Sequence, residues 1–285
     1  MAGVLALATA GLFAVLPKPE SPYDTFGVSK VYGSAKDGMS WEANWTGGEY
    51  AWSEDPWVEI GSHDIRYRTN DGILTISGET SRIYVREPNK KRQWTDVEVT
   101  VYAKRVADAG VPYSGIVAAV RTNHGVTSDL ESAPCDSRGL TARLRFDGGA
   151  DFGKETSHPT TVATKPVPVF DGGMPYNEWI GYKHVVYDIT DIAGVAGTRQ
   201  ELWMDLTGGK NGGVWRMLAS HDDFPYSGFG QVACAPGVSP SLAYVNGVRA
   251  GSESGLPSIS VLFRADSLGE NGLQYKWASV REIAK

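Results

Sequence analysis

Arg121, Asn123, His124, Arg143, Arg145, Lys154, Glu155 and His158 fall within one stretch, Arg121–Pro159, of a 285-residue chain. Guanidinium and carboxamide groups place positive charge or N–H donors where negative charge develops in a transition state. An imidazole or a phenol can take up a proton and return it. Together such groups suit removal of a proton beside a carboxylate whose charge has first been neutralised. Arg121 and Asn123 share one strand face with His124 at the strand end, and Tyr275 near the C-terminus can supply a phenol. These four are the catalytic candidates. A tyrosine has an ordinary pKa of about 10, and a neighbouring cation such as Arg121 or Lys154 would favour its phenolate. Arg143, Arg145, Lys154, His158, Tyr182, His184, Trp203 and Trp277 are candidates for holding a substrate. A solvated outer strand face is the competing reading for any one of the charged residues.

These side chains must be positioned by strands. GILTISG, SRIYVREP, WTDVEVTVYAKRV and GIVAAVRTNH alternate apolar and polar residues and are separated by turn residues. Later runs are WIGYKHVVYDI, RQELWMDLT, VWRMLAS, SISVLFRAD and LQYKWASVREI. Alternate residues of a strand share a face, so Val97, Val99 and Val101 oppose Glu98, Thr100 and Tyr102. By the same rule Tyr275 and Trp277 share a face and Lys276 opposes them, while Tyr182 and His184 share a face opposite Tyr187. Asp147-Gly148-Gly149 separates two alternating runs and predicts a hairpin, because glycine supplies the positive φ of a tight turn. Beyond it Lys154, Thr156 and His158 should share one face and Asp151, Gly153 and Glu155 the other, so Glu155 is not expected to partner the cations. No sustained period of 3.6 residues and no internal repeat is present. The expected fold is all-β, a β-sandwich of jelly-roll, concanavalin-like type with a concave groove suited to a polymer.

The chain reads as a single domain over 24–285, preceded by a signal-like apolar segment and a Pro-rich linker over 1–23. The run from Gly3 to Leu16 is too short to span a bilayer comfortably and has the character of a secretory h-region, although a basic n-region is missing. A secreted protein with no membrane segment in its mature form, and a monomer, is expected. A net charge of -6 argues against a general nucleic-acid binder. Cys135 and Cys234 both lie in Gly/Pro/Ser-rich loops, and read either as one disulfide in an oxidising compartment or as two buried thiols. Four tryptophans, Trp41, Trp45, Trp52 and Trp57, crowd one region; such rings stack on sugars or fill cores, and core is expected for at least half.

The strand ending Arg121-Thr122-Asn123-His124, the hairpin DGGADFGKETSHP and the last strand QYKWASVREI together resemble jelly-roll polysaccharide lyases of the glucuronan-lyase and alginate-lyase type. The likeness is one of layout. Such enzymes carry Arg-(Ser/Thr)-Glu-Leu-Arg, Gln-(Ile/Val)-His and Tyr-x-Lys-x-Gly-x-Tyr strands, and this chain departs from all three, with Tyr275-Lys276-Trp277 lacking the Gly and Tyr that should follow. The resemblance implies a lyase that cleaves an acidic, uronate-containing polysaccharide by β-elimination, with His124 neutralising the carboxylate or acting as base and Tyr275 as acid or base.

Two other readings stay open. Glu201 and Asp205 flank Trp203 on one strand face, and residues two apart along a strand lie about 6.5–7 Å apart, compatible with the paired carboxylates of a glycoside hydrolase. A jelly roll with aromatic residues in its groove is equally a carbohydrate-binding protein without turnover. No cofactor is required by any of these chemistries. Asp147, Asp151, Asp188, Asp191 and Asp266 stand beside turns that could complete an oxygen shell around a structural Ca²⁺. None has calcium-loop spacing, and turn aspartates are frequent for local hydrogen bonding alone. The five histidines are scattered, so no zinc pattern exists.

Overall fold

The computed structural model describes residues 20–45, 54–61, 65–108, 110–123, 134–245, 248–249 and 260–285. Its strands are β1 (Ser40–Glu42), β2 (Val58–Ile60), β3 (Ile65–Asn70), β4 (Ile73–Arg86), β5 (Val97–Arg105), β6 (Gly115–Thr122), β7 (Gly139–Arg145) and β8 (Gly149–Ser157). They continue with β9 (Thr160–Ala163), β10 (Val167–Pro168), β11 (Ile180–Thr190), β12 (Ala196–Asp205), β13 (Arg216–Asp223), β14 (Tyr244–Val245), β15 (Val248–Arg249) and β16 (Ser260–Glu282). A short 3-10 turn, Lys210–Gly212, follows β12. No helix among the described residues is long and apolar enough to cross a membrane.

The long strands β16 and β4 each serve two layers. The first part of β16 pairs with β6 and the second half of β4, whereas its last part pairs with β5 and the first half of β4. Register shifts between Asp266 and Leu273 bend β16 from one layer into the other. One layer then runs β8-β7-β6-β16-β4-β2, and the second runs β13-β12-β11-β5-β16-β4-β3. This is a jelly-roll β-sandwich of antiparallel strands.

Alternation explains why the layers close on each other. Val97, Val99 and Val101 of β5, with Tyr182 and Val186 of β11, enter the same buried cluster as Ala118 and Val120 of β6 and Leu140, Ala142 and Leu144 of β7. Tyr182 crosses the core, its hydroxyl donating to the Ala142 carbonyl at 2.8 Å and accepting from the Ala118 N–H at 3.1 Å. The Asp147-Gly148-Gly149 turn joins β7 to β8 as expected, with Gly148 at φ 91°. Trp41 and Trp45 are core residues, Trp57 is packed against the core, and Trp52 lies outside the described residues. Cys135 and Cys234 form a disulfide, which selects the first of the two readings of these cysteines.

The outer face of the second layer is partly covered by the segment from Glu20 to Ser34. Glu98 of β5, with 0% exposure, accepts from Lys183 and Arg281 at 2.6 Å each and from the backbone N–H groups of Val31 and Tyr32 at 3.0 and 3.4 Å. The Tyr32 hydroxyl reaches Glu201 of β12. A carboxylate taken from water needs donors in place of its lost hydration, and so the segment and the sheet hold each other.

Candidate functional site

Arg121, Arg143, Arg145 and Lys154 are each paired with carboxylates within the protein, whereas the buried Arg138 reaches the Ser239 carbonyl. Arg121 takes a left-handed φ of 51° at the end of β6, is fully buried, and donates to Asp188 at 2.6 Å and Asp96 at 2.8 Å, with its guanidinium over the Tyr244 ring. Asn123 is also fully buried and binds backbone only, donating to the Cys135 carbonyl and accepting from the Arg138 N–H. His124 lies outside the described residues. Arg143 forms a bidentate pair with Asp151 at 2.6 and 2.8 Å, and Arg145 binds Asp147 and Asp151. Lys154 turns to the opposite face from Arg143, where it is buried against Asp223 at 2.6 Å and the Phe229 carbonyl. Arg143 and Lys154 therefore do not share a surface. His158 joins Glu155 at 2.7 Å, contrary to the face assignment from alternation, because a register shift between Glu155 and Ser157 interrupts the period.

Tyr275 sits in the core at 1% exposure, and burial pushes its phenol well above the usual tyrosine range. Tyr182 is likewise a core residue. His184 is buried against Gln200, and loss of solvent holds its pKa down to about 4, so it is neutral. None of these three faces solvent. The aspartates considered for calcium are engaged elsewhere: Asp147 and Asp151 share Arg145. Asp188 serves Arg121, Asp266 serves Arg82 and Arg264, and Asp191 caps the turn at Ala193 and Val195. Among the described residues no three acidic, His or Cys side chains gather as metal ligands.

The carboxylates Glu201 and Asp205 do share the outer face of β12, but each is saturated. Glu201 accepts from Tyr32, Tyr187, Trp203 and Arg199. Asp205 accepts from the Tyr102 hydroxyl at 2.9 Å, from Thr207, and from the N–H groups of Gly209 and Val214. Burial works against ionisation of Asp205, yet these donors outweigh it and hold its carboxyl below the usual range. The same balance holds for Glu201, where burial is outweighed by the hydroxyls, the indole and Arg199. Trp203 is partly covered beside Tyr32. These residues fasten the covering segment and the loop after β12.

A different cluster on this outer face keeps its charges free. At the second half of β16, Lys276 pairs with Tyr102 but Ser279 pairs with Thr100, so a bulge inserts an extra residue. Trp277 takes φ 54° there, an uncommon conformation for a bulky residue. The bulge places Lys276 and Trp277 on the outer face together and returns Ala278 to the core beside Tyr275. Strict alternation had paired Trp277 with Tyr275 and opposed it to Lys276; the bulge reverses that assignment.

The Lys276 ammonium lies 3.8 Å from the Trp277 ring centre and 4.6 Å from that of Trp179, and Lys104 lies 4.9 Å from Trp179. Tyr102 forms the floor, edge-on to Trp277 at 5.3 Å and to Trp215 at 5.6 Å. Lys276, Trp277, Trp179, Phe26, Ile73 and one carboxylate, Asp71, line a cavity of about 390 Å³. Gly209, at φ 90°, lies flat against Trp277, and any Cβ there would overlap the indole. Among the described residues neither Lys104 nor Lys276 forms an ion pair; Lys276 donates only to the Gly208 carbonyl at 3.3 Å. Burial, and then the charge of Lys104, pull the Lys276 ammonium below the ordinary lysine range, with Asp205 opposing them.

Sequence reasoning identified Trp277 but passed over Lys104, Trp179 and Lys276. The available signal was the outer face of β5: Glu98, Thr100 and Tyr102 were assigned to it, and Lys104 is the next residue in that alternation.

No protein-family model and no curated protein sequence matches this chain. Solved structures show similarity in shape. The alginate lyase Aly36B is 12% identical at a TM-score of 0.42, over 86% of this chain and 97% of that one. The VIP36 exoplasmic/lumenal domain in its Ca²⁺/Man2-bound form is 9% identical at 0.44, over 83% and 85%. The marine PL-14 alginate lyase from Aplysia kurodai is 11% identical at 0.40, over 80% and 88%. Likenesses this distant say nothing about a site.

Proposed function

We propose that the protein binds an acidic polysaccharide in the cavity lined by Trp179, Lys276 and Trp277, with Lys104 beside it on the Trp179 ring, and cleaves it by β-elimination at a uronate unit. The observation that carries this reading is the half-buried Lys276, free of any carboxylate partner among the described residues, between two indole rings. Flat aromatic faces suit the apolar faces of sugar rings. Lys104 would neutralise the uronate carboxylate, lowering the barrier to carbanion formation next to it. Neutral Lys276 would take the C5 proton; the electron pair of the broken C5–H bond then forms the C4–C5 double bond as the C4–O4 bond breaks. The leaving O4 receives a proton from the Lys276 ammonium so formed, or from water.

Binding without turnover is the second reading, favoured by one observation: no His accompanies Lys276 in the cavity lining, and the Tyr102 phenol beneath it donates its proton to Asp205. Hydrolysis by paired carboxylates is disfavoured, since both Glu201 and Asp205 are saturated with donors. Incubation with a panel of polyuronates and neutral glycans separates the three. Elimination raises the ultraviolet absorbance of an unsaturated uronate, hydrolysis raises reducing ends alone, and binding raises neither.

Two further outcomes are expected. Because a base works in its neutral form, turnover should increase as pH rises through the Lys276 pKa, and that acidic limb should lie below the ordinary lysine value of about 10.4. A kcat profile flat across neutral and alkaline pH would exclude Lys276 as the base. Gly209→Ala should push Trp277 off its seat and weaken polyuronate binding about tenfold, the scale of one lost cation–π or stacking contact. Titration of intrinsic tryptophan fluorescence measures this, and unchanged affinity would show that the Trp277 ring is not part of the binding surface.

A further inference from the structure

The outer face of the second layer continues beyond the cavity toward the edge strand β3. Lys104 of β5 pairs with Gln274 of β16, Gln274 with Thr75 of β4, and Thr75 with Arg68 of β3. Directly paired residues share a face, and adjacent strands lie 4.7–4.9 Å apart. A polar row therefore crosses four strands, with Lys104 at one end and Arg68 about 14 Å away at the other. Arg66, one face position along β3, pairs with Ser77, and a second cavity of about 400 Å³ opens among Arg66, Arg68, Thr75, Ser77 and Glu270. Among the described residues Arg66 and Arg68 have no ion pair, although both are exposed and Glu270 shares their cavity. In the middle of the row Gln274 donates to Thr75, but its Oε1 is buried and has no donor. A buried acceptor without a donor is uncommon, and here it lies between the two cavities.

We infer that Arg66 and Arg68, with Gln274 between them and the primary cavity, form a distal subsite for a second anionic group of an oligomeric glycan. This rests on the proposed function and extends it. The ligand bridges strands rather than following one, and its carboxylates recur along the chain. Arginine is suited to the task because its planar fork binds carboxylates through two hydrogen bonds. The competing explanation is that charged residues on an edge strand merely block pairing with other chains. That explanation predicts aggregation on their removal and no dependence of affinity on ligand length.

The test uses the full chain and uronate oligomers from disaccharide to hexasaccharide, with a sulfated glycan as a second polyanion, read by calorimetry. For the wild type, affinity should rise with length once the oligomer spans both cavities. In Arg66→Ala/Arg68→Ala the long oligomers should bind about tenfold more weakly, the scale of a charge-assisted contact, while the disaccharide is unaffected. Gln274→Leu should show a smaller loss confined to the same oligomers. If long oligomers bind the double variant as tightly as the wild type, the distal subsite is excluded and the primary reading stands. If no polyanion binds the wild type, both are overturned.

Discussion

Replacing Lys276 by methionine is expected to reduce elimination by about a hundredfold or more, the range for removal of a positioned general base, while leaving the fold intact. Methionine keeps an unbranched apolar stem beside Trp277, and the only hydrogen bond given up is the 3.3 Å donation to Gly208. No buried carboxylate is orphaned, because Asp205 takes its donors from Tyr102 and the 207–214 loop. Polyuronate binding should persist through Lys104, Trp179 and Trp277, although more weakly. The variant is therefore expected to separate kcat from affinity. Wild-type turnover in Lys276→Met, with its thermal midpoint preserved, would move the base elsewhere.

Removal of the Glu98 carboxylate is expected to give the largest stability change. Glu98→Ala leaves Lys183 and Arg281 buried beside each other and deprives Val31 and Tyr32 of their acceptor. Breaking a buried ion pair from one side costs about 3–5 kcal/mol, a large share of the stability of an ordinary domain. The denaturant midpoint should fall accordingly, and the segment from Glu20 to Ser34 should become accessible to protease before the rest of the sheet. A loss below about 1 kcal/mol, the scale of an exposed pair, would mean that this segment is not held by Glu98.

Much of the fold was readable in the residues. The Val97, Val99, Val101 alternation and the Asp147-Gly148-Gly149 turn are local signals, and local geometry obeys them. The site was less readable, for two physical reasons. The charge of a strand residue says nothing about its partner. Arg121 is neutralised by Asp96 and Asp188, and Lys154 by Asp223, and such partners become visible only once the sheet has closed. Arg121, Arg143, Arg145 and Lys154 between Arg121 and Pro159 therefore marked ion pairs. The second reason is that a bulge breaks the period that face assignments depend on. Trp277 and His158 both changed face at register shifts, in one case assembling the candidate site and in the other joining His158 to Glu155. The free cations Lys104 and Lys276 come from strands far apart in sequence and meet only through the β5–β16 pairing.

The most direct test of the Trp179–Lys276–Trp277 cavity, with Lys104 beside it, as the acidic-polysaccharide site is lysine footprinting. The protein is acetylated with and without saturating uronate oligomer and each lysine is quantified by mass spectrometry. Lys104 and Lys276 should be protected in proportion to occupancy, while the exposed Lys36 and Lys91 react as in the free protein. Equal labelling of Lys104 and Lys276 in the two states, with the oligomer shown to be bound, would contradict the assignment.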